Sequence, residues 1–112
     1  MTDASAGEPE IEVVDDREAG RFVIAVDGEP AGFVQYRERG RAIAFVHTEI
    51  DDRFEGQGLG GRLVSAALED VRSRGLAVLP FCPFVRGYIA RHREYLDLVP
   101  ATQRAQFGLE PS

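Results

Sequence analysis

The apolar positions of this chain follow two periods that meet at a glycine-rich stretch, Glu55-Gly56-Gln57-Gly58-Leu59-Gly60-Gly61. From about Leu59 the spacing is helical, with Leu59, Leu63, Ala67 and Val71 at i+4 and Val64 and Leu68 beside them. Arg72 and Arg74 fall in the last turn, where cations suit the helix dipole, and Gly75 is a C-terminal stop. Before the glycines the period is two. Residues 11–14 suit a short first strand, and residues 21–26 alternate Phe22, Ile24 and Val26 against Val23 and Ala25. Asp27-Gly28 is a hairpin turn signal, residues 30–36 return as a strand, and Arg39-Gly40-Arg41 makes the next turn. Residues 42–50 are the longest β run. Regular alternation there puts Ile43, Phe45, His47 and Glu49 on one face and Ala44, Val46, Thr48 and Ile50 on the other. The pattern predicts a meander of three or four antiparallel strands.

Beyond the helix, residues 76–81 are too short and too apolar for a surface helix and read as a buried strand. Following a helical crossover, it should lie parallel to the strand at 42–50. Pro80 and Pro83 bracket Phe81-Cys82. Proline cannot donate to a ladder, so pairing fails or bulges there and the two strands splay apart. Residues 84–99 predict a second helix with Val85, Ile89, His92 and Leu96 on one stripe and Tyr88, Arg91 and Tyr95 on a neighbouring face; Pro100 ends it. The expected organisation is a disordered acidic tail over residues 1–10, one α+β domain over 11–99, and a C-terminal tail over 100–112.

Length and composition narrow the function classes. At 112 residues with 44% apolar content the chain makes one modest core, and no run approaches the ~20 apolar residues of a membrane helix. The start lacks the layout of a secretion signal, and a single cysteine excludes an internal disulfide, so the expected compartment is the cytoplasm. The net charge is −6, and residues 1–16 carry six acids and no base, so the one-sided basic field of a nucleic-acid binder is missing. Two histidines and one cysteine without ligand spacing give no metal site.

The glycines are the first chemical candidate. Glycine amides at a helix N-terminus form an anion site, because the N–H groups there lack partners and the dipole is positive. A nucleotide P-loop requires a lysine, and the chain has none; a dinucleotide fingerprint requires a different glycine spacing and parallel strands before it. A tight strand-to-helix turn that needs small residues is the plain alternative. What the stretch 55–60 resembles is the acyl-CoA pyrophosphate loop of the GNAT acetyltransferases, Arg/Gln-x-x-Gly-x-Gly/Ala. The element order is similar to the core of that fold without its opening helices. The resemblance to the small GNAT-like family of YjdJ type covers about residues 11–99. It is carried by His47-Thr48-Glu49-Ile50, by the glycine loop, by Leu79-Pro80-Phe81-Cys82-Pro83-Phe84 and by Tyr88…His92-x-Glu94-Tyr95.

The resemblance implies a truncated GNAT fold, with acetyl-CoA in the cleft between the splayed strands. Its pyrophosphate would meet the amides of Gln57, Gly58, Leu59, Gly60 and Gly61, with Arg62 nearby, and its pantetheine would pair with the strand ending at Ile50. Glu55 departs from the family loop, since a carboxylate there works against phosphate; Arg53 or Arg62 is the candidate to compensate. Arg86 and Arg91 read as solvated helix charges or as partners of a CoA phosphate. Cys82 reads either as an inert core thiol or as a transient acetyl acceptor near the splay. Glu49 and His47 are candidate general bases, against the reading of a polar strand end and a core histidine. Tyr88 is a candidate donor of a proton to the leaving thiolate, or else a packing residue. His92, Glu94 and Tyr95 are expected to hold the second helix against the sheet. The expected activity is acetyl transfer from acetyl-CoA to an amine acceptor, by a monomer or homodimer. The rivals are an acyl-CoA-binding module without turnover and a partner-binding domain without CoA affinity.

Overall fold

The computed structural model describes residues 9–109, so most of the segment read as an acidic tail lies outside the described residues. Five strands form one sheet in sequence order: β1 (Ile11–Asp16), β2 (Arg21–Val26), β3 (Glu29–Arg39), β4 (Ala42–Ile50) and β5 (Ala77–Pro80). The first four pair antiparallel, and β4 pairs parallel with β5. Helix α1 (Leu59–Ser73) makes the crossover, and α2 (Pro83–Arg91) follows β5. This is the α+β arrangement that the sequence predicts, an antiparallel meander continued by a parallel strand across a helix. No helix among the described residues is long and apolar enough to cross a membrane.

Local chemistry sets the turns. Asp27 and Gly28 have φ of 51° and 82°, the pair of positive values that lets a two-residue hairpin follow the strand twist. Gly75, at φ 69°, ends α1 as its sequence suggests. Helix α1 packs against all five strands and buries Leu59, Leu63, Val64, Ala67, Leu68 and Val71. These meet Phe22, Ile24, Val34, Tyr36, Ile43 and Phe45 from the sheet in one core. Each such side chain contributes about 1.5–3 kcal/mol on burial, which fixes α1, and the glycine loop at its start, on the sheet.

Three expectations are corrected. First, β4 does not alternate regularly. Its partners step from Gln35↔His47 to Tyr36↔Phe45, so Val46 is left over as a bulge. Since Tyr36 faces Phe45 while Val34 faces Thr48, the residues Ile43, Phe45, Thr48 and Ile50 share the α1 face. His47 and Glu49 move to the opposite face, beside Gln35 and Phe33. Second, the helix expected over 84–99 stops at Arg91. His92 leaves the helical region (φ −127°, ψ 78°), and Arg93–Leu98 continues as a 3-10 turn. Tyr95 there reaches Ser65 Oγ (3.2 Å) and donates to the Glu69 carboxylate (2.7 Å), so this segment is held to α1 rather than to the sheet. Third, the segment read as a C-terminal tail carries core residues: Phe107 and Leu109 are buried, and Phe107 meets the Phe81 ring edge-on at 5.1 Å.

Tyr36 ties the meander together. It is buried, and its hydroxyl donates to the Asp15 carboxylate at 2.6 Å, joining β3 to β1 across β2. Burial, with the hydrogen bond to Asp15 and its negative charge, holds the phenol well above its ordinary range. An acid raised on folding contributes stability that is complete below the unfolded pKa and is lost as pH rises. Above a pH of about 10 this residue should therefore cost stability at up to ~1.4 kcal/mol per pH unit. In urea melts from neutral to strongly alkaline pH, Tyr36→Phe should start less stable than the wild type and show a shallower alkaline decline. Parallel declines would show that Tyr36 titrates normally.

Candidate active site

The ladder between β4 and β5 ends at Phe45↔Pro80, and one further bond follows it, from the Cys82 amide to the Phe45 carbonyl at 2.8 Å. Pro80 and Pro83 cannot extend it, so β4 runs on to Ile50 without β5 beside it. Cys82 lies where the strands part, at the N-cap of α2. It is 3% exposed, with its sulfur 3.2 Å from Thr48 Oγ1. The bulge at Val46 is what turns Thr48 to this side.

After β4 the chain makes a 3-10 turn, Asp52–Phe54, capped by the Asp51 carboxylate, which accepts from the Arg53 amide. That bond, then the Arg53 side chain, holds the Asp51 carboxyl below its usual range. The glycine loop follows. Gly56 (φ 83°) and Gly58 (φ 74°) take left-handed conformations, and Gly58 is the N-cap of α1. It supplies no side-chain cap, and the first turn has no acid. The first backbone bond closing onto Gly58 comes from Arg62, at 3.3 Å. The amides of Leu59, Gly60 and Gly61 are therefore left for an anion, as the helix dipole favours.

At Gly60 the start of α2 comes close, since a Cβ there would lie 2.7 Å from Phe84 Cζ, the tip of a partly exposed ring that would have to move aside. Phe84, Ile50, Phe54, Glu55 and the glycines enclose a cleft of about 370 Å³. A recess of about 470 Å³ adjoins it, lined by Gly58, Gly61, Arg62, Ser65 and Tyr88. The structure thus brings Ile50, Gly58, Leu59, Gly60, Gly61 and Arg62 together around one opening. Gln57 lies exposed within the same loop.

The proposed chemical residues do not converge in the same way. Glu49 is paired with His47 (Oε2 to Nε2, 3.1 Å) on the opposite face of β4, and the two side chains are 64% and 52% exposed. A carboxylate so open to water matches the polar strand end, and an imidazole so exposed is not a core histidine. Tyr88 lines the recess and stacks on His92 at 4.0 Å. Arg53 is committed to Asp51 (3.2 Å) and Glu29 (2.9 Å), so of the two compensating arginines only Arg62 lines the cavities. Arg86 turns back to the Phe81 carbonyl at 3.0 Å. Sequence reasoning missed Phe84 as a wall of the cleft. The signal was its place beside Pro83, opposite a glycine that has no turn to make.

Two alanine substitutions separate the roles of the glycines. Gly58→Ala forces a side chain into a left-handed position and should cost about 1–2 kcal/mol in a urea melt. Gly61→Ala has no such strain, its Cβ standing 3.5 Å from Tyr88 Cε1. It should be neutral or stabilising by up to ~1 kcal/mol. Equal losses from both would contradict this backbone geometry.

A family described as GCN5-related N-acetyl-transferase matches residues 21–98. No curated protein sequence matches the chain. Among solved structures it is similar to a GCN5-like protein from Staphylococcus aureus, at 26% identity and a TM-score of 0.60, covering 80% of this chain and 86% of that one. It also superposes on the GNAT family N-acetyltransferase YhbS from Escherichia coli, solved with CoA (21% identity, TM-score 0.52, 64% and 61% covered). A third is the N-acetylglutamate synthase of Neisseria gonorrhoeae, solved with coenzyme A and N-acetyl-glutamate (14% identity, TM-score 0.50, 88% and 26% covered). The last two likenesses concern the fold alone. With the matched region running from β2 into the segment that latches onto α1, the chain belongs to the GCN5-related N-acetyltransferase family.

Proposed function

We propose that this chain transfers an acetyl group from acetyl-CoA to an amine. The observation that carries the reading is the uncapped, acid-free N-terminus of α1, opening onto a cleft where β4 and β5 part. The residues present fit a CoA thioester. The amides of Leu59, Gly60 and Gly61 suit its pyrophosphate, Arg62 lines the adjoining recess, and the unpaired end of β4 suits its amide-bearing arm. Glu55 opposes phosphate only weakly, because it is exposed to solvent. Within the family the motif at residues 79–84 supports placing the chain with the YjdJ type, and one free cysteine suits work in the cytoplasm.

Bound acetyl-CoA supplies an acetyl thioester, at whose carbonyl carbon a C–N bond forms as the C–S bond breaks. The protein must take a proton from the incoming ammonium and let one return to the sulfur. Glu49 is our candidate base: it is open to solvent on the face away from the cofactor cleft, with His47 beside it to pass the proton on. Tyr88, which lines the recess beside the glycine loop, we assign to holding the cofactor. Cys82 is buried against Thr48, so direct transfer is favoured over a thiol relay.

Thermal unfolding with saturating acetyl-CoA, and with ADP as control, tests the cofactor. At ~100 times its Kd a ligand adds roughly 2.7 kcal/mol, and each kcal/mol moves a domain of this size by about 4–8 °C. No shift with acetyl-CoA would remove the acetyltransferase reading.

Release of free CoA thiol then separates the routes. Glu49→Gln should lower turnover by about 10²–10⁴-fold and keep the thermal shift. Cys82→Ala should keep turnover while costing ~1 kcal/mol of stability. Loss of turnover in Cys82→Ala with the shift intact would establish the relay instead. The rival reading, a binding module without turnover, draws on the sheet face around Glu49, where Val14 stays 52% exposed. It predicts the shift and no thiol release with any amine.

A further inference from the structure

A second cavity lies on the opposite face of the sheet from α1. It is about 210 Å³, smaller than the roughly 300–1,000 Å³ of drug-sized sites, and it spans β2, β3 and the end of β4. Its walls carry Arg21 and Val23 from β2, Gly32 and Phe33 from β3, and the two acids Glu49 and Asp51. Gly32 answers to the strand pairing and not to the cavity: a Cβ there would point to the α1 face, 2.6 Å from both the Glu49 carbonyl oxygen and Ile50 Cδ1.

The charges in this cavity are separated. Arg21 lies over the Phe33 ring at 4.5 Å, and its Nε is buried with no hydrogen-bond partner. Among the described residues it makes no ion pair, although two carboxylates share the same cavity. At the other end Glu49 meets His47 and Asp51 meets Arg53, each pair at the surface. A guanidinium at one end, carboxylates at the other and an aromatic floor between them form the complement of a small zwitterion.

We infer that this cavity binds a small α-amino acid, its ammonium toward Glu49 and Asp51 and its carboxylate toward Arg21. The inference rests on the acetyl-transfer reading for its meaning, since it makes the bound amino acid the acceptor and Arg21 the residue that selects it. It gives the Arg21 guanidinium, which makes no ion pair among the described residues, a counter-charge that a simple amine would not supply. It also limits the acceptor to a small molecule, because a protein side chain carries no carboxylate beside its amine.

The test is a titration of the ¹⁵N-labelled full chain followed by NMR, without acetyl-CoA. The standard L-amino acids are added singly, each compared with its carboxamide, which keeps the amine and lacks the carboxylate. At least one amino acid should shift the amides of Gly32 and Phe33, with its carboxamide weaker by about 10- to 100-fold, the range of one charge-assisted hydrogen bond. Arg21→Gln should remove that preference and Arg21→Lys should keep part of it, which guards against a variant that merely unfolds. Equal effects of acid and carboxamide, or no shift with any amino acid, would overturn the inference. A separate titration with acetyl-CoA reads Gly58 and Gly60. If those stay still while an amino acid shifts Gly32, the acetyl-transfer reading fails and the acceptor role goes with it, leaving an amino-acid site.

Discussion

The arrangement depends on two prolines that cannot donate a hydrogen bond. Pro80 and Pro83 end the β4–β5 ladder after four residue pairs, and the Cys82 amide makes the last contact with Phe45. A continuous sheet would have closed the space that now opens between the strands. The parting leaves the end of β4 unpaired, puts the start of α2 over Gly60 and sets both helix N-termini at the rim of one cleft. Hydrophobic burial of α1 fixes the loop on the sheet, but it is the failed pairing that gives the loop a space to face.

The bulge at Val46 decides which residue types line which side. Without it, His47 and Glu49 would share a face with Ile43 and Phe45 and point toward the core. With it, Thr48 turns toward Cys82 and Ile50 toward the cleft beside the glycine loop, while the two titratable side chains reach the open face. One extra residue thus separates an apolar lining on the α1 side from a charged surface on the other.

Much of this was legible in the sequence where local chemistry decides. Asp27-Gly28, Gly58 and Gly75 mark their turns because few other residues adopt those backbone angles, and the i+4 stripe of α1 survives intact. The splay was readable because proline lacks a donor wherever it sits. What was not legible is set by contacts between distant residues. No local signal marks Val46 as unpaired, since the slip is a property of two strands together. The helix after Pro83 has no breaker before Pro100. It ends at Arg91, after which His92 stacks on Tyr88 and Tyr95 reaches Ser65 and Glu69 on α1. Phe107 and Leu109 stand apart in a polar stretch, and only the folded chain shows that they are covered. In the same way Arg53 reads as free from its position and proves to be shared between Asp51 and Glu29.

The uncapped start of α1 sits in a chain of net charge −6, and the first turn of α2 is likewise free of acids. A helix terminus is worth about half a charge and acts within a turn or so, whereas the net charge is felt out to roughly a Debye length, ~8 Å at physiological ionic strength. The excess of acids lies wholly in residues 1–16, and residues 17–112 balance thirteen acids against thirteen arginines. Strand β1 is the sheet edge farthest from the parting of β4 and β5, about three strand spacings or ~14 Å from β4. An anion at the cleft therefore meets the two helix termini and not the net charge, so that its encounter should change little with ionic strength.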